Sequence, residues 1–302
     1  PVHIAFDEVC RKADSRGIRV TGSELVGLIP LKAILDAGRY FLEKQQRSTG
    51  VSDEELIKIA VKSMGLSELH EFKPEEKIIE YVMKDTDRER LADLSLYNFM
   101  NETASESPAP GGGSVSAYIG ALGVALGTMV ANLSSHKRGW EDRWREFSGW
   151  AEKGKTIQNR LLQLVDEDTD AFNKILEAFR LPDKTLEDSQ LKKSAVREAT
   201  REAILVPYQV METAFSGFGL IKEMVGKGNP NSVTDAAVGA LAVRACIRGA
   251  YLNIKVNSTN LDDRDFVEDI LSKGKFIEDN SKREEEEILV KAENRLNSLK
   301  KS

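Results

Sequence analysis

The chain has 302 residues, enough for one large domain or two smaller ones, each with a sizeable core. A hydrophobic share of 41%, a charged share of 30% and a net charge of -6 describe an ordinary soluble globular protein, with no overall attraction to nucleic acid or to an anionic membrane. The only two cysteines, Cys10 and Cys246, lie far apart in sequence, which argues against a disulfide framework or a cysteine metal site and for a reducing, cytoplasmic setting.

Beginning at Pro1 rather than at an initiator methionine, and with no basic and apolar leader, the sequence reads as a piece of a longer protein without a signal peptide. Residues 3–16 predict an amphipathic helix with Ile4, Val9 and Ala13 inward, closed by Gly17. Ile18–Thr21 and Leu25–Ile29 then predict two short strands. Pro30 suits the first turn of a helix over Leu31–Lys44, and Ser52-Asp53-Glu54-Glu55 has the capping-box pattern that opens another, running to Met64 and stopping at Gly65. This α/β segment has too few strands to close a sheet by itself, and His3 and His70 read as surface or structural residues. Phe72–Asp87 is a connector in which Ile78, Ile79 and Tyr81 dock as an edge strand or short helix. The charged run Asp85–Arg90 marks a boundary between domains 1–84 and 85–302.

From Leu91 onward strand signals disappear. Helices are expected over 91–103, 114–134, 139–179, 186–225, 232–257 and from 262 to the end, the third and fourth being long enough to bend or break. The uncharged stretch 111–135 has the length of a membrane span, but its six glycines before Met129 and the polar Ser114, Ser116, Thr128 and Asn132 favour a buried bundle helix and no membrane span. Gly123, Gly127 and Ala131, the pair Ser116 and Gly120, and Ala242, Ala245 and Gly249 form small-residue seams that let helix backbones meet, inside the bundle or across a dimer. The run Lys282–Glu287 with Lys291 reads as a solvated face.

Two stretches could carry chemistry. Ser107-Pro108-Ala109-Pro110-Gly111-Gly112-Gly113-Ser114 delivers a flexible loop to the start of a helix, where unsatisfied N–H groups and the helix dipole receive a polar or anionic ligand group, or where Ser114 is simply an N-cap. In Val165-Asp166-Glu167-Asp168-Thr169-Asp170, Asp166 and Asp170 share one helical face while Asp168 comes nearer to the apolar stripe of Leu164, Val165 and Phe172. An aspartate there is expensive to bury without a partner, so Asp168 is the odd acid of the group; on pattern alone a solvated acidic face is still the better reading.

SPAPGGGSVSA at Ser107, VDEDTDAF at Val165, GNPNSVTD at Gly228 and AYLNIKVN at Ala250, in that order, resemble the formimidoyltetrahydrofolate cyclodeaminase family. The earlier GSELVGLIPLKAILDAGRYFLEK resembles the carboxy-terminal end of a glutamate formimidoyltransferase domain, whose substrate face and catalytic histidine the resemblance places upstream of Pro1. The resemblance implies a mainly α fold: a helical-bundle cyclodeaminase domain preceded by a small, incomplete α/β segment. It implies conversion of 5-formimidoyltetrahydrofolate to 5,10-methenyltetrahydrofolate and ammonia, a step of histidine degradation and one-carbon metabolism, with Asp168 as the catalytic residue. It further implies a homodimer or larger homo-oligomer, with a tetrahydrofolate substrate and no metal or redox cofactor. For a polyglutamylated folate the expected donors are Gly111, Gly112, Gly113 and Ser114 with Lys137 and Arg138. Asn229, Asp235, Asn253 and Asn257 are expected pterin contacts, helix capping being the other reading of the first two. A methenyltetrahydrofolate cyclohydrolase and a non-catalytic helical dimerisation module remain alternatives.

Overall fold

The computed structural model describes residues 1–83 and 90–299; the expected boundary at 84/85 and all but the last residue of the charged run lie outside them. Within these residues the α-helices are α1 (Val2–Asp14), α2 (Leu31–Lys44), α3 (Asp53–Met64), α4 (Pro74–Lys77), α5 (Ile79–Val82), α6 (Leu96–Thr103), α7 (Gly112–Ser135), α8 (Trp144–Arg180), α9 (Leu186–Lys227), α10 (Val233–Asn257) and α11 (Arg264–Leu299). The mainly α expectation holds. The small α/β segment does not form a sheet: among the described residues there is no strand, only one parallel bridge in which the Ile29 N–H donates to Lys77 O (2.9 Å) and the Ile79 N–H donates to Ile29 O (3.0 Å). Ile18–Thr21 and Leu25–Leu28 are non-helical, as their composition asks, but no second strand lies alongside to complete a ladder.

The chain divides into two compact units. The first contains the described residues up to 83 together with 132–152. Its core gathers Ile34, Leu42, Leu56 and Ile78, all fully buried, and α2 crosses α3 so closely at Gly38 that a Cβ there would stand 2.7 Å from the Leu56 carbonyl carbon. Ser52 caps α3 by accepting the Glu55 N–H, and Gly65 ends it at φ 61°. On α1 the inward residues are His3 and Phe6; Ile4 and Val9 are exposed, contrary to the periodicity reading, because the face that meets the rest of the unit is set by the His3 ring packing on Tyr40 (centroids 4.8 Å apart). Ser48, Thr49 and Gly50 are buried against the 132–152 stretch, where Asn132 donates to Gly50 O (2.9 Å) and Ser148 Oγ accepts the Thr49 N–H (3.1 Å).

The second unit, residues 90–131 and 153–299, is a bundle of long helices. Thr185 and Asp188 form a true capping box at the start of α9, which runs unbroken for 42 residues in spite of Pro207. A proline has no N–H for the carbonyl four residues back, here that of Ala203, and the Asn257 side-chain amide of α10 donates to that oxygen instead (2.7 Å). Most of the small-residue seams pack within the chain itself, Ala245 being the exposed member. A Cβ on Gly120 would meet Cys246 Sγ at 2.6 Å and one on Gly123 would meet Gly239 O at 2.7 Å, while Ser116 lies against Gly249, so α7 and α10 run antiparallel and nearly touching. Gly127 packs against Leu220 and Ile221 of α9. Among the described residues three helices, Gly112–Ser135, Leu186–Lys227 and Pro230–Asn257, are long and apolar enough to cross a membrane, and these mutual contacts account for much of that apolar surface. The acidic run on α11 is more than a solvated face: Glu284 and Glu287 pair with Lys222 of α9 (3.0 and 2.7 Å) and Glu285 approaches Arg244 of α10.

Candidate active site

The site is assembled where the first turn of α7 meets the middle of α8 and the last turns of α10. The helix α7 opens at Gly112, two residues before the expected Ser114, so Ser114 already lies within the first turn. Its hydroxyl does not cap its own helix. It is fully buried and donates to Asp168 Oδ2 across the gap to α8 (2.9 Å). The Ser114 backbone amide also faces the Asp168 carboxyl and favours its ionised form. Thr169, the next residue of α8, brings its hydroxyl to 3.3 Å from Ser114 Oγ.

Glycine is required at 113 for this approach, because a Cβ there would stand 2.5 Å from both Cγ and Oδ2 of Asp168 and nearer still to Oδ1. Gly112 faces Asn253 less closely, with a Cβ position 3.3 Å from the Asn253 amide nitrogen. That nitrogen donates to Gly249 O of its own helix (3.0 Å), leaving the amide oxygen as an acceptor at the mouth of the loop. Gly111 is open; the nearest atom to a Cβ there is Pro108 O at 4.0 Å. Burial pushes the Asp168 carboxyl above the usual carboxylate range, and the Ser114 hydroxyl and amide, which favour the ionised form, offset only part of that. A carboxyl whose proton affinity is raised by burial, bordered by a glycine loop and an amide acceptor, is equipped to take up and return a proton.

The other expected residues lie elsewhere. Asn257 is occupied with Ala203 O and serves the fold. Asn229 accepts the Asn231 N–H and so caps the short turn before α10, the other reading given for it, while Ser232 stands at the N-cap position of α10 without a side-chain cap hydrogen bond. Asp235, in the first turn of α10, is about 27 Å from Asn253 along that helix at 1.5 Å per residue. Lys137 and Arg138 follow the far end of α7, Lys137 standing over the Trp140 ring (4.1 Å) and Arg138 exposed. The sequence reading missed two neighbours of Asp168. Thr169 is one, although its place beside Asp168 was a visible signal. Asp166 is the other: it is mostly buried rather than on an open acidic face, and it accepts the Leu91 N–H (2.7 Å), anchoring the turn that leads to α6. Among the described residues no three His, Cys, Asp or Glu side chains are grouped as a metal site requires.

Comparison with known proteins gives this geometry its setting. Residues 95–275 match the family described as formiminotransferase-cyclodeaminase, and residues 1–84 match the formiminotransferase domain. The chain belongs to the formimidoyltransferase-cyclodeaminase family. Formimidoyltransferase-cyclodeaminase of Mus musculus is 35% identical over 268 residues, which is 88% of this chain and 49% of the mouse protein; that of Dictyostelium discoideum is 32% identical over 97% of this chain and 54% of its own length. This family member thus spans about half the length of those relatives. A methenyltetrahydrofolate cyclohydrolase of Methylorubrum extorquens is 33% identical over 177 residues, 59% of this chain and 85% of that one. In fold, the cyclodeaminase-family chain is similar to the crystal structure of formiminotetrahydrofolate cyclodeaminase from Thermotoga maritima, with a TM-score of 0.58 and 24% identity over 70% of this chain and 99% of the other.

Proposed function

We propose that the chain is a formimidoyltetrahydrofolate cyclodeaminase that closes 5-formimidoyltetrahydrofolate to 5,10-methenyltetrahydrofolate with release of ammonia, using Asp168 as its acid-base group. The observation that carries this reading is the half-buried Asp168 carboxyl, held by Ser114 at the start of α7 and bordered by Gly113. In the reaction N10 attacks the formimidoyl carbon, the proton leaves N10, the departing nitrogen gains it, and the C–N bond to ammonia breaks; the positive charge of the amidinium ends on the methenyl product. A carboxyl with raised proton affinity is suited to move that one proton, an effect worth about 10² to 10⁴ in rate. The step balances without a metal or redox cofactor, so none is assigned. On this reading the Asn253 amide oxygen accepts from a substrate N–H, and the amides at Gly111 and Gly112 receive a polar group of the folate. We keep 84/85 as the boundary between the transferase-like and cyclodeaminase segments, and the cytoplasm as the place of action.

We further propose a homodimer through α7 and α10. Leu122 and Met129 of α7 and Val238, Leu241, Leu252 and Val256 of α10 are all exposed large apolar residues on these two helices. A two-fold axis near Ala245 would lay the partner's α10 antiparallel on this one and bring the Asp235 end of one copy towards the Asn253 end of the other.

The deciding experiment is ammonia release from 5-formimidoyltetrahydrofolate by the wild type and by Asp168→Asn. The wild type releases ammonia with formation of the methenyl product, and the variant loses at least about 10²-fold in kcat while keeping its helical circular dichroism. A wild type that releases no ammonia yet hydrates methenyltetrahydrofolate would make the chain a cyclohydrolase, the activity named for the Methylorubrum extorquens relative.

A further inference from the structure

Ser114 is fully buried, and its single hydroxyl hydrogen goes to Asp168 Oδ2 at 2.9 Å. With that hydrogen committed, the 3.3 Å approach of Thr169 Oγ1 to Ser114 Oγ has one donor left to it, the Thr169 hydroxyl. The three groups therefore form a directed row, Thr169 O–H to Ser114 O–H to the Asp168 carboxylate, with Ser114 fully buried and Asp168 and Thr169 half-buried. Hydrogen bonds in such rows polarise one another: a hydroxyl that accepts a bond donates a stronger one.

Other influences on this carboxyl are few. On its own helix Asp166 is turned to the Leu91 N–H and Glu167 to Arg160 (3.0 Å), while Asp170 lies two residues on. The first turn of α7 presents only glycines and Ser114, and α10 presents the neutral Asn253. What surrounds Asp168 is thus burial on one side and donors on the other, and those donors come through Ser114.

We propose that Thr169 is a positioning residue for the proton transfer: acting through Ser114, it holds the Asp168 carboxylate in place and keeps it ionised and ready to accept a proton. The inference rests on the acid-base role given to Asp168. Thr169 touches no reacting atom, and its influence passes through one hydroxyl.

The test is the pH profile of kcat/KM for cyclodeamination, together with the titration of the Asp168 carboxyl carbon by NMR in the substrate-free protein, identified by its absence in Asp168→Asn. Removing a donor to a carboxylate raises its proton affinity, so the acid limb and the NMR titration of Thr169→Val both move to higher pH. Ser114→Ala moves them further in the same direction, Thr169→Ser restores the wild-type values, and Thr169→Val adds nothing in the Ser114→Ala background. A Thr169→Val protein whose NMR titration coincides with that of the wild type, or moves to lower pH, overturns the proposal. If the NMR titration moves as expected while Asp168→Asn remains active, the row exists and the catalytic role of Asp168 is what fails.

Discussion

Replacing Gly113 with alanine separates the demands of the helix from those of the site. The added Cβ would stand 2.5 Å from Cγ and Oδ2 of Asp168, where ordinary contact needs about 3.4 Å or more, so the carboxyl must retreat by roughly 1 Å or α7 must move. Displacement of a catalytic group by that much costs on the order of 10²-fold in rate, about 2.7 kcal/mol in the barrier. Stability responds differently. Gly113 lies within α7, where alanine is favoured over glycine by about 0.5–1 kcal/mol, while loosening the Ser114 to Asp168 hydrogen bond costs about 1 kcal/mol, so the two nearly cancel. The expected result is a Gly113→Ala protein with kcat/KM for ammonia release down about a hundredfold and a midpoint of thermal unfolding close to that of the wild type. Gly219→Ala on α9, where nothing stands within 4 Å of the new Cβ, serves as the control and keeps full activity. A Gly113→Ala enzyme within about threefold of wild-type kcat/KM would remove the close Gly113 to Asp168 approach from the mechanism.

Asn257→Ala should cost roughly 1–3 kcal/mol by leaving Ala203 O unpaired beside Pro207; in a Pro207→Ala background, where the restored N–H can reach that carbonyl, urea titration should show the loss shrink. Glu278 is buried, which would raise its carboxyl, yet the hydrogen bonds from Lys275 and Arg244 hold it at about 2 against an ordinary 4.5. A depressed value in the folded state contributes stability above the unfolded value and loses it as pH falls towards 2, so Glu278→Gln should cost about 3 kcal/mol at pH 7 and flatten the decline in stability between pH 5 and 3. For the proposed dimer, Leu241→Glu on the exposed face of α10 should give a monomer by light scattering at micromolar protein and lower turnover at saturating substrate; a wild type that is fully active as a monomer would detach the interface from the mechanism. Gly127→Leu cannot serve for this purpose, since Gly127 packs on Leu220 and Ile221 of its own chain and overfilling that contact would damage the fold first.

The helices were legible because their determinants are local. Apolar periodicity, Pro30 before α2, Ser52 and Gly65 around α3, and small residues along α7 each act within a few residues, and the structure has α2 at Leu31–Lys44 as its sequence requires. The resemblance of four short motifs pointed to Asp168, and its place beside an apolar stripe marked it as the acid that would be costly to bury. Three-dimensional packing decided the rest, because the decisive contacts join residues far apart in the chain. Ser114 had every local feature of an N-cap, yet its hydroxyl serves Asp168, 54 residues away. Asn257 had the look of a ligand amide, and a proline on another helix 50 residues earlier claims it. Ile18–Thr21 and Leu25–Ile29 had strand composition, but strand pairing is a property of two segments, and only Ile29 finds a partner, at Ile78. The glycines at 112 and 113 read as a flexible loop; what makes a missing Cβ necessary at 113 is the arrival of Asp168 from another helix, which no window of sequence contains.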